Sequence, residues 1–222
     1  MTFELNPGLL LIVGGVLLPL LRPGLRLVWM LALPVLGAYL LWHAPEGNHM
    51  PFEAFGVPLE LYRVDSLSRI FGYIFLLATF LGGIYAAHLK NPLEPSAALV
   101  YAGAAVGAVF SGDLVSLFVF WELTALASVF LIWARGTERA FHTGMRYLVV
   151  QVGSGVVLLA GLLVRWQETG SVAFDHIGID SVGGVLVLIA FGVKCAFPLL
   201  HNWLQDAYPE ATPTGTVILS AF

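Results

Sequence analysis

Residues 111–134 read SGDLVSLFVFWELTALASVFLIWA, a polar turn followed by a helix-length apolar run with one carboxylate, Glu122, near its middle. Asp113 is a natural N-cap. A helix that starts at Leu114 carries Glu122 about 12 Å along its axis. That depth lies inside the hydrocarbon core of a bilayer, where a charge is expensive unless it is paired, hydrated or protonated. The stretch therefore sets two expectations together: a membrane-spanning helix and a carboxylate with a functional role.

Composition extends the first expectation to the whole chain. Of 222 residues, 59% are apolar and only 11% charged, and the mean hydropathy is +0.88. Soluble domains carry roughly 25% charged residues, so this chain cannot cover a water-facing surface. The expected fold is an all-α polytopic membrane protein with about seven transmembrane helices and the start of an eighth. The same composition excludes a soluble enzyme. The net charge of −4 and the lack of a basic block exclude nucleic acid as a partner. One cysteine, Cys195, rules out an intrachain disulfide and a cysteine zinc cluster, and its apolar surroundings predict inert burial. The first 20 or so residues lack a basic start and a small-residue cleavage site, so they read as a retained helix.

Working outward, hydropathy places helix 1 over about residues 5–21, helix 2 over 27–42 with a kink at Pro34, and helix 3 over 65–87. Helix 4 follows over 96–110, helix 5 is the opening stretch, helix 6 covers 145–164 and helix 7 covers 181–200. The hydrophilic segment 43–64 holds several acids, glycines and prolines, and predicts an extracytoplasmic loop of irregular or short extended structure. His43, Glu46 and His49 there are read as ordinary loop residues. Gly103 and Gly107 form a small-residue pair suited to close helix packing. The turn at 111–113 is so short that helix 5 must return antiparallel beside helix 4. The chain closes on residues 214–222, TGTVILSAF, too few for a span of about 20 residues. A fragment, a split gene or a truncated product is the expectation. Residues 1–95 are read as an N-terminal unit and 96–222 as a second unit. With the N-terminus outside, the inner connections hold Arg22, Arg26, Lys90, Arg135, Arg139 and Arg146, and the outer ones Arg63, Arg69 and Arg165. This excess of positive charge favours an extracytoplasmic N-terminus.

A second charge lies deep in an apolar run. Lys194 sits in helix 7, which crosses in the same direction as helix 5, at a depth near that of Glu122. The two can meet across a helix interface, either as a static salt bridge or as a charge pair on an ion path. The chemistry favours the path. Burial pushes a lysine toward losing its proton and an adjacent carboxylate opposes this, so their separation works as a switch. Pro198 breaks the helix four residues later, and broken helices at mid-membrane are typical of ion sites. His201 follows Lys194 by seven residues, and an imidazole can hand protons between water and a buried amine. It reads as a proton donor to the lysine or as an interfacial histidine. Asp206 and Glu210 would draw cations to an entrance or stand as solvated loop acids. Asp113 is read as a cap, and Arg146 as an anchor of helix 6 that can couple to nearby acids. No CxxCH, CxxC, phosphate-binding glycine loop or HExxH is present, so neither a cofactor nor a metal is expected.

Two stretches carry a family resemblance. GDLVSLFVFWELTALASVFLIW, Gly112–Trp133, resembles the fifth-helix signature of the proton-translocating antiporter-like membrane subunits. VKCAFPLLHNWLQDAYPEATPTGTVILSA, Val193–Ala221, resembles their seventh-helix and loop signature. The family includes large membrane subunits of NADH-quinone oxidoreductase, the D and A subunits of multisubunit sodium/proton antiporters, and membrane hydrogenase subunits. The wording of Phe120–Ile132 and Asp206–Thr214 is most similar to the D branch. The resemblance implies two inverted repeats, helices 4 to 8 and 9 to 13, with residues 96–222 belonging to the first. It matches Glu122 to the family's glutamate of helix 5, Lys194 to the lysine of broken helix 7, and His201 to the histidine that follows. A further family lysine in helix 8 falls beyond Phe222, and Gln205 stands where the family often has proline.

The implied function is proton translocation through a buried Glu122–Lys194 relay, within a multisubunit monovalent cation/proton antiporter in a bacterial inner membrane. Its partners would be other membrane subunits, protons, sodium and lipid. Alternatives are a proton-pumping subunit of NADH-quinone oxidoreductase or of a membrane hydrogenase, with no redox step in this chain, and a non-conducting structural subunit.

Overall fold

The computed structural model describes residues 5–54 and 56–222. Residues 1–4, and with them the N-terminus whose side the charge count addresses, lie outside the described part. Nine α-helices and one β-hairpin make up the described residues: α1 (Pro7–Leu17), α2 (Pro23–His43), β1 (Gly47–Ala54), β2 (Val57–Val64), α3 (Ser66–Tyr85), α4 (Leu93–Val109), α5 (Leu114–Trp133), α6 (Glu138–Thr169), α7 (Val182–Lys194), α8 (Asn202–Ala207) and α9 (Pro213–Ala221). Helices α2, α3, α5 and α6 are long and apolar enough to cross a bilayer, and the runs 7–20, 93–109 and 182–194 are shorter apolar helices. Large apolar side chains such as Leu20, Val28, Val149 and Val156 face outward. An outer surface of this kind is stable only against lipid, which cannot satisfy backbone polar groups and so demands closed helices. The chain is a multi-pass membrane protein.

Small residues set the closest approaches. A Cβ added to Gly103 would run into the backbone of Gly8 and Ile12, and one added to Gly8 would strike Gly103 and Gly107. Helices α1 and α4 thus pack backbone to backbone, as the glycine pair predicts. A first core joins α1 to α4 through Leu11, Leu18, Leu33, Leu76, Val106 and Phe110. A second joins α4, α5, α6, α8 and α9 around Leu131, Ile132, Tyr147 and Leu219. A third sits between α5, α6 and α7 around Trp121, Leu158, Val187 and Ala190.

The two ends of the bundle differ. At one end β1 and β2 pair antiparallel, Gly47 opposite Val64 and Ala54 opposite Val57. The hairpin docks by backbone bonds: Arg63 N–H donates to the Phe110 carbonyl at 2.7 Å and Gly112 N–H to that of Glu60 at 2.9 Å. The segment expected to be irregular or briefly extended is therefore a regular two-stranded sheet. At the other end Arg26 and Lys90 line one recess, and Arg135 lines another with Tyr85 and Pro209.

Four expectations change. Helix α6 is longer than 145–164, because Thr137 caps it well before the apolar run, accepting from Ala140 N–H at 3.1 Å, and Gly170 ends it in the left-handed region at φ 68°. Helix α2 begins at Pro23 rather than 27, with the proline at its first position, and runs to His43. Helix α7 stops at Lys194 rather than at 200. Cys195, expected to be buried, is exposed, because the helix unwinds at that residue.

Candidate functional site

The broken seventh helix shapes the site. Pro198 has no N–H to donate and disfavours helical backbone at Phe197. The chain therefore leaves the helix early. Phe197 N–H reaches back to the Gly192 carbonyl at 2.8 Å, and Ala196 and Leu199 take left-handed φ values of 53° and 74°. Such values in non-glycine residues store local strain. Trp203 on α8 caps the opened end, its indole N–H donating to the Val193 carbonyl at 3.0 Å. Lys194 is thus the last helical residue, on a terminus braced by an indole.

Lys194 reaches across to α5. Its Nζ donates to the Trp121 carbonyl at 3.4 Å and lies 5.0 Å from the centroid of the Trp121 ring. A cation against an indole face is electrostatically favoured. Trp121 is itself fixed, its indole N–H donating to Ser154 Oγ on α6 at 3.2 Å and its ring meeting Phe191 edge-on at 4.9 Å. Glu122 is the next residue, and its side chain turns toward α6. A Cβ added to Gly155 would overlap Glu122 Oε1. That oxygen is buried with no hydrogen-bond partner among the described residues.

Glu122 and Lys194 thus sit on adjoining faces within each other's electrostatic reach, yet no ion pair within 4.0 Å joins them. The expected meeting of the two groups is corrected to an approach without contact: Trp121 takes the lysine while Gly155 receives the carboxylate. The ion pairs observed among the described residues are instead between arginine or histidine and acids.

The remaining candidates separate. His201 stands at the N-cap of α8, and its side chain makes no hydrogen bond or ion pair among the described residues. Its seven-residue spacing from Lys194 loses helical meaning, because α7 ends at Lys194. Asp113 caps α5, accepting from Ser116 N–H and Ser116 Oγ at 2.7 Å each, and from Glu60 N–H at 2.8 Å. It therefore ties the hairpin to the start of α5. Arg146 lies 3.5 Å from Asp206, with both side chains largely exposed. Arg139 Nε lies 2.8 Å from Glu210, which is buried, so Glu210 is a clamp rather than a solvated acid. Arg135 donates to the Pro209 carbonyl, and the Thr212 hydroxyl donates to the buried Glu94. Among the described residues no group of three or more metal-ligating side chains converges.

Sequence reading passed over Trp121, Gly155, Trp203 and Gln151. Gln151 carried a usable signal: it and Ser154 are the polar side chains in the run Leu148–Val164.

Residues 111–222, half of the chain, match the family model described as NADH:quinone oxidoreductase/Mrp antiporter, transmembrane. The chain belongs to this family. It is 29% identical to a protein named NADH-quinone oxidoreductase subunit N from Deinococcus radiodurans, over 93% of this chain and 46% of that protein. It is 34% identical to the A subunit of a Na(+)/H(+) antiporter from Alkalihalophilus pseudofirmus, over 55% of this chain and 17% of that protein. In fold it is similar to a chain of the membrane-bound sulfane sulfur reductase, an archaeal respiratory membrane complex, with a TM-score of 0.82 at 20% identity, covering 100% of this chain and 50% of that one. The chain spans about half or less of the length of these relatives.

Proposed function

We propose that the chain translocates protons as part of a multisubunit monovalent cation/proton antiporter, with Glu122 and Lys194 as proton-carrying groups. One observation carries the reading. Lys194, at the end of a broken helix, is held against the backbone and ring of Trp121, beside a carboxylate it does not touch. A pair kept for stability would close to hydrogen-bond distance, because an open buried pair keeps the desolvation cost and loses the Coulomb gain. A pair that exchanges protons gains from a gap, since small movements of α7 then change which group holds the charge. His201, on the segment that continues past the break, exchanges protons with Lys194. Residues 96–222 act as the first of two repeats, with other membrane subunits as partners.

A second reading is a proton-pumping membrane subunit of an NADH-quinone oxidoreductase. The likeness to subunit N over 93% of the chain favours it. Both readings use the same residues and differ in what drives them.

The test uses everted membrane vesicles that carry the complete native complex. Glu122→Gln and Lys194→Ala each abolish proton flux while the complex still assembles on a native gel. Flux driven by a sodium or potassium gradient supports the antiporter reading, and flux driven by NADH with quinone supports the second. Normal flux in both variants leaves a purely structural role in the complex.

A further inference from the structure

Gln151 lies in the middle of α6 and is 1% exposed, and neither its amide nitrogen nor its amide oxygen has a hydrogen-bond partner among the described residues. A buried primary amide without partners is costly, and bound water is the usual remedy. Its position gives that water a direction. Tyr147, Gln151, Ser154 and Gly155 share one face of α6, spaced as i, i+4, i+7 and i+8. Opposite them on α5, Ser128 Oγ meets Tyr147 Oη at 2.8 Å, Trp121 bonds Ser154, and Glu122 faces Gly155. Gln151 therefore stands between the Glu122 carboxylate and the Ser128–Tyr147 hydroxyl pair, about 6 Å along the axis from each. A single bridging water joins polar atoms about 5–6 Å apart.

The polar file continues in one direction only. Toward the basic end, Thr143 lies one turn from Tyr147, accepts from Arg146 at 3.0 Å and is 2% exposed, and Arg146 reaches Asp206 at the surface. Toward the hairpin end, Leu158, Leu162, Leu114 and Leu117 close the same region with buried apolar side chains.

We propose that Gln151 is a positioning residue that holds water between Glu122 and the Ser128–Tyr147 pair, and that this file is the route by which protons reach Glu122 from the basic end. The proposal rests on the reading of Glu122 as a proton carrier. A proton taken up at the basic end passes along hydroxyls and water by exchange of hydrogen bonds, and the Glu122 carboxylate receives it. Gln151 gains and loses no proton. Its amide both donates and accepts, so it orders water without adding a charge to the membrane interior.

The test reads Glu122 directly in the complete complex in membranes. Infrared difference spectra assign the Glu122 carboxyl stretch as the band that Glu122→Gln removes, and transfer to D2O times its exchange. Gln151→Met slows that exchange by about tenfold, the effect of one hydrogen bond lost along the route. Gln151→Ser, which leaves room for water and a hydroxyl, restores it. Tyr147→Phe removes only an oxygen, gives the same slowing, and decides the matter if Gln151→Met fails to assemble. Exchange at the wild-type rate in Gln151→Met, or in Tyr147→Phe where Gln151→Met does not assemble, overturns the proposal even when Glu122→Gln abolishes transport. Normal transport by Glu122→Gln overturns the underlying reading instead.

Discussion

At the scale of single residues the site depends on an absent side chain. Gly155 gives the Glu122 carboxylate its place against α6, and a methyl group there would overlap Oε1. Two residues earlier, Gly153 opens onto free space, with no heavy atom within 4 Å of an added Cβ. Both replacements by alanine raise helix propensity equally, by about 1 kcal/mol. They differ only in what the new methyl meets. Gly155→Ala forces the carboxylate off its position, with an overpacking cost of about 1–3 kcal/mol, and lowers proton flux toward the level of Glu122→Gln. Gly153→Ala transports like the parent. Flux measured in the same vesicles separates the two, and equal flux from both would remove Gly155 from the site. The contrast shows what is legible at this scale. Glu122 and Lys194 stand out as charges in apolar runs, because a charge in lipid is costly wherever it points. Gly155 and Gln151 do not, because their meaning depends on which residue faces them from another helix, and hydropathy carries no record of that.

At the scale of elements, caps and breaks were legible where a local rule acts alone. Asp113 and Ser111–Gly112 announce the start of α5, and Pro198 announces a break in α7. The position of the break was not legible, since helix α7 ends before the proline and Trp203 supplies a cap from a separate helix. Asp65 offers a measurable case of a local rule. It caps α3 in a reciprocal capping box with Ser68 and lies just outside the membrane-spanning segment. The Ser68 backbone N–H, bonded at 2.7 Å, holds the Asp65 carboxyl below its ordinary value of 3.8, with help from the Ser68 hydroxyl and from Arg63. A lowered folded-state pKa means that the ionised form is preferred on folding. The resulting stability is present above the unfolded pKa and is lost as pH falls through the folded one, so the window lies below about pH 4. The side chain is half exposed, and solvent screening keeps the effect small. Asp65→Asn keeps the cap and flattens the fall in melting temperature on acidification below about pH 4. Asp65→Ala loses about 1 kcal/mol near neutral pH. Thermal unfolding in detergent, followed across pH, checks both. An acid slope that survives in Asp65→Asn would assign it to other carboxylates.

At the scale of the whole molecule, the question is which way the bundle faces. The structure gathers the docked hairpin, Asp113 and Arg63 at one end, and Arg26, Lys90 and Arg135 at the other. Alternation of the helices links the ends, so fixing one fixes both. The excess of basic residues predicts that the second end faces the cytoplasm. Cys195 is the single cysteine, and it is exposed, so it must first be replaced by Cys195→Ser. In that background, Glu53→Cys near the hairpin tip and Asn91→Cys in the α3–α4 connection place one exposed thiol at each end. A membrane-impermeant maleimide labels Glu53→Cys on intact cells, and labels Asn91→Cys only after permeabilisation. The reverse pattern turns the molecule over. The outcome also fixes the sense of the polar file on α6. Because that file opens only at the basic end, the expected labelling means that Glu122 draws its protons from the cytoplasm. The leucines on its hairpin side then keep that supply from leaking straight through α5 and α6. In the relay proposed above, onward transfer goes sideways, across the gap to Lys194.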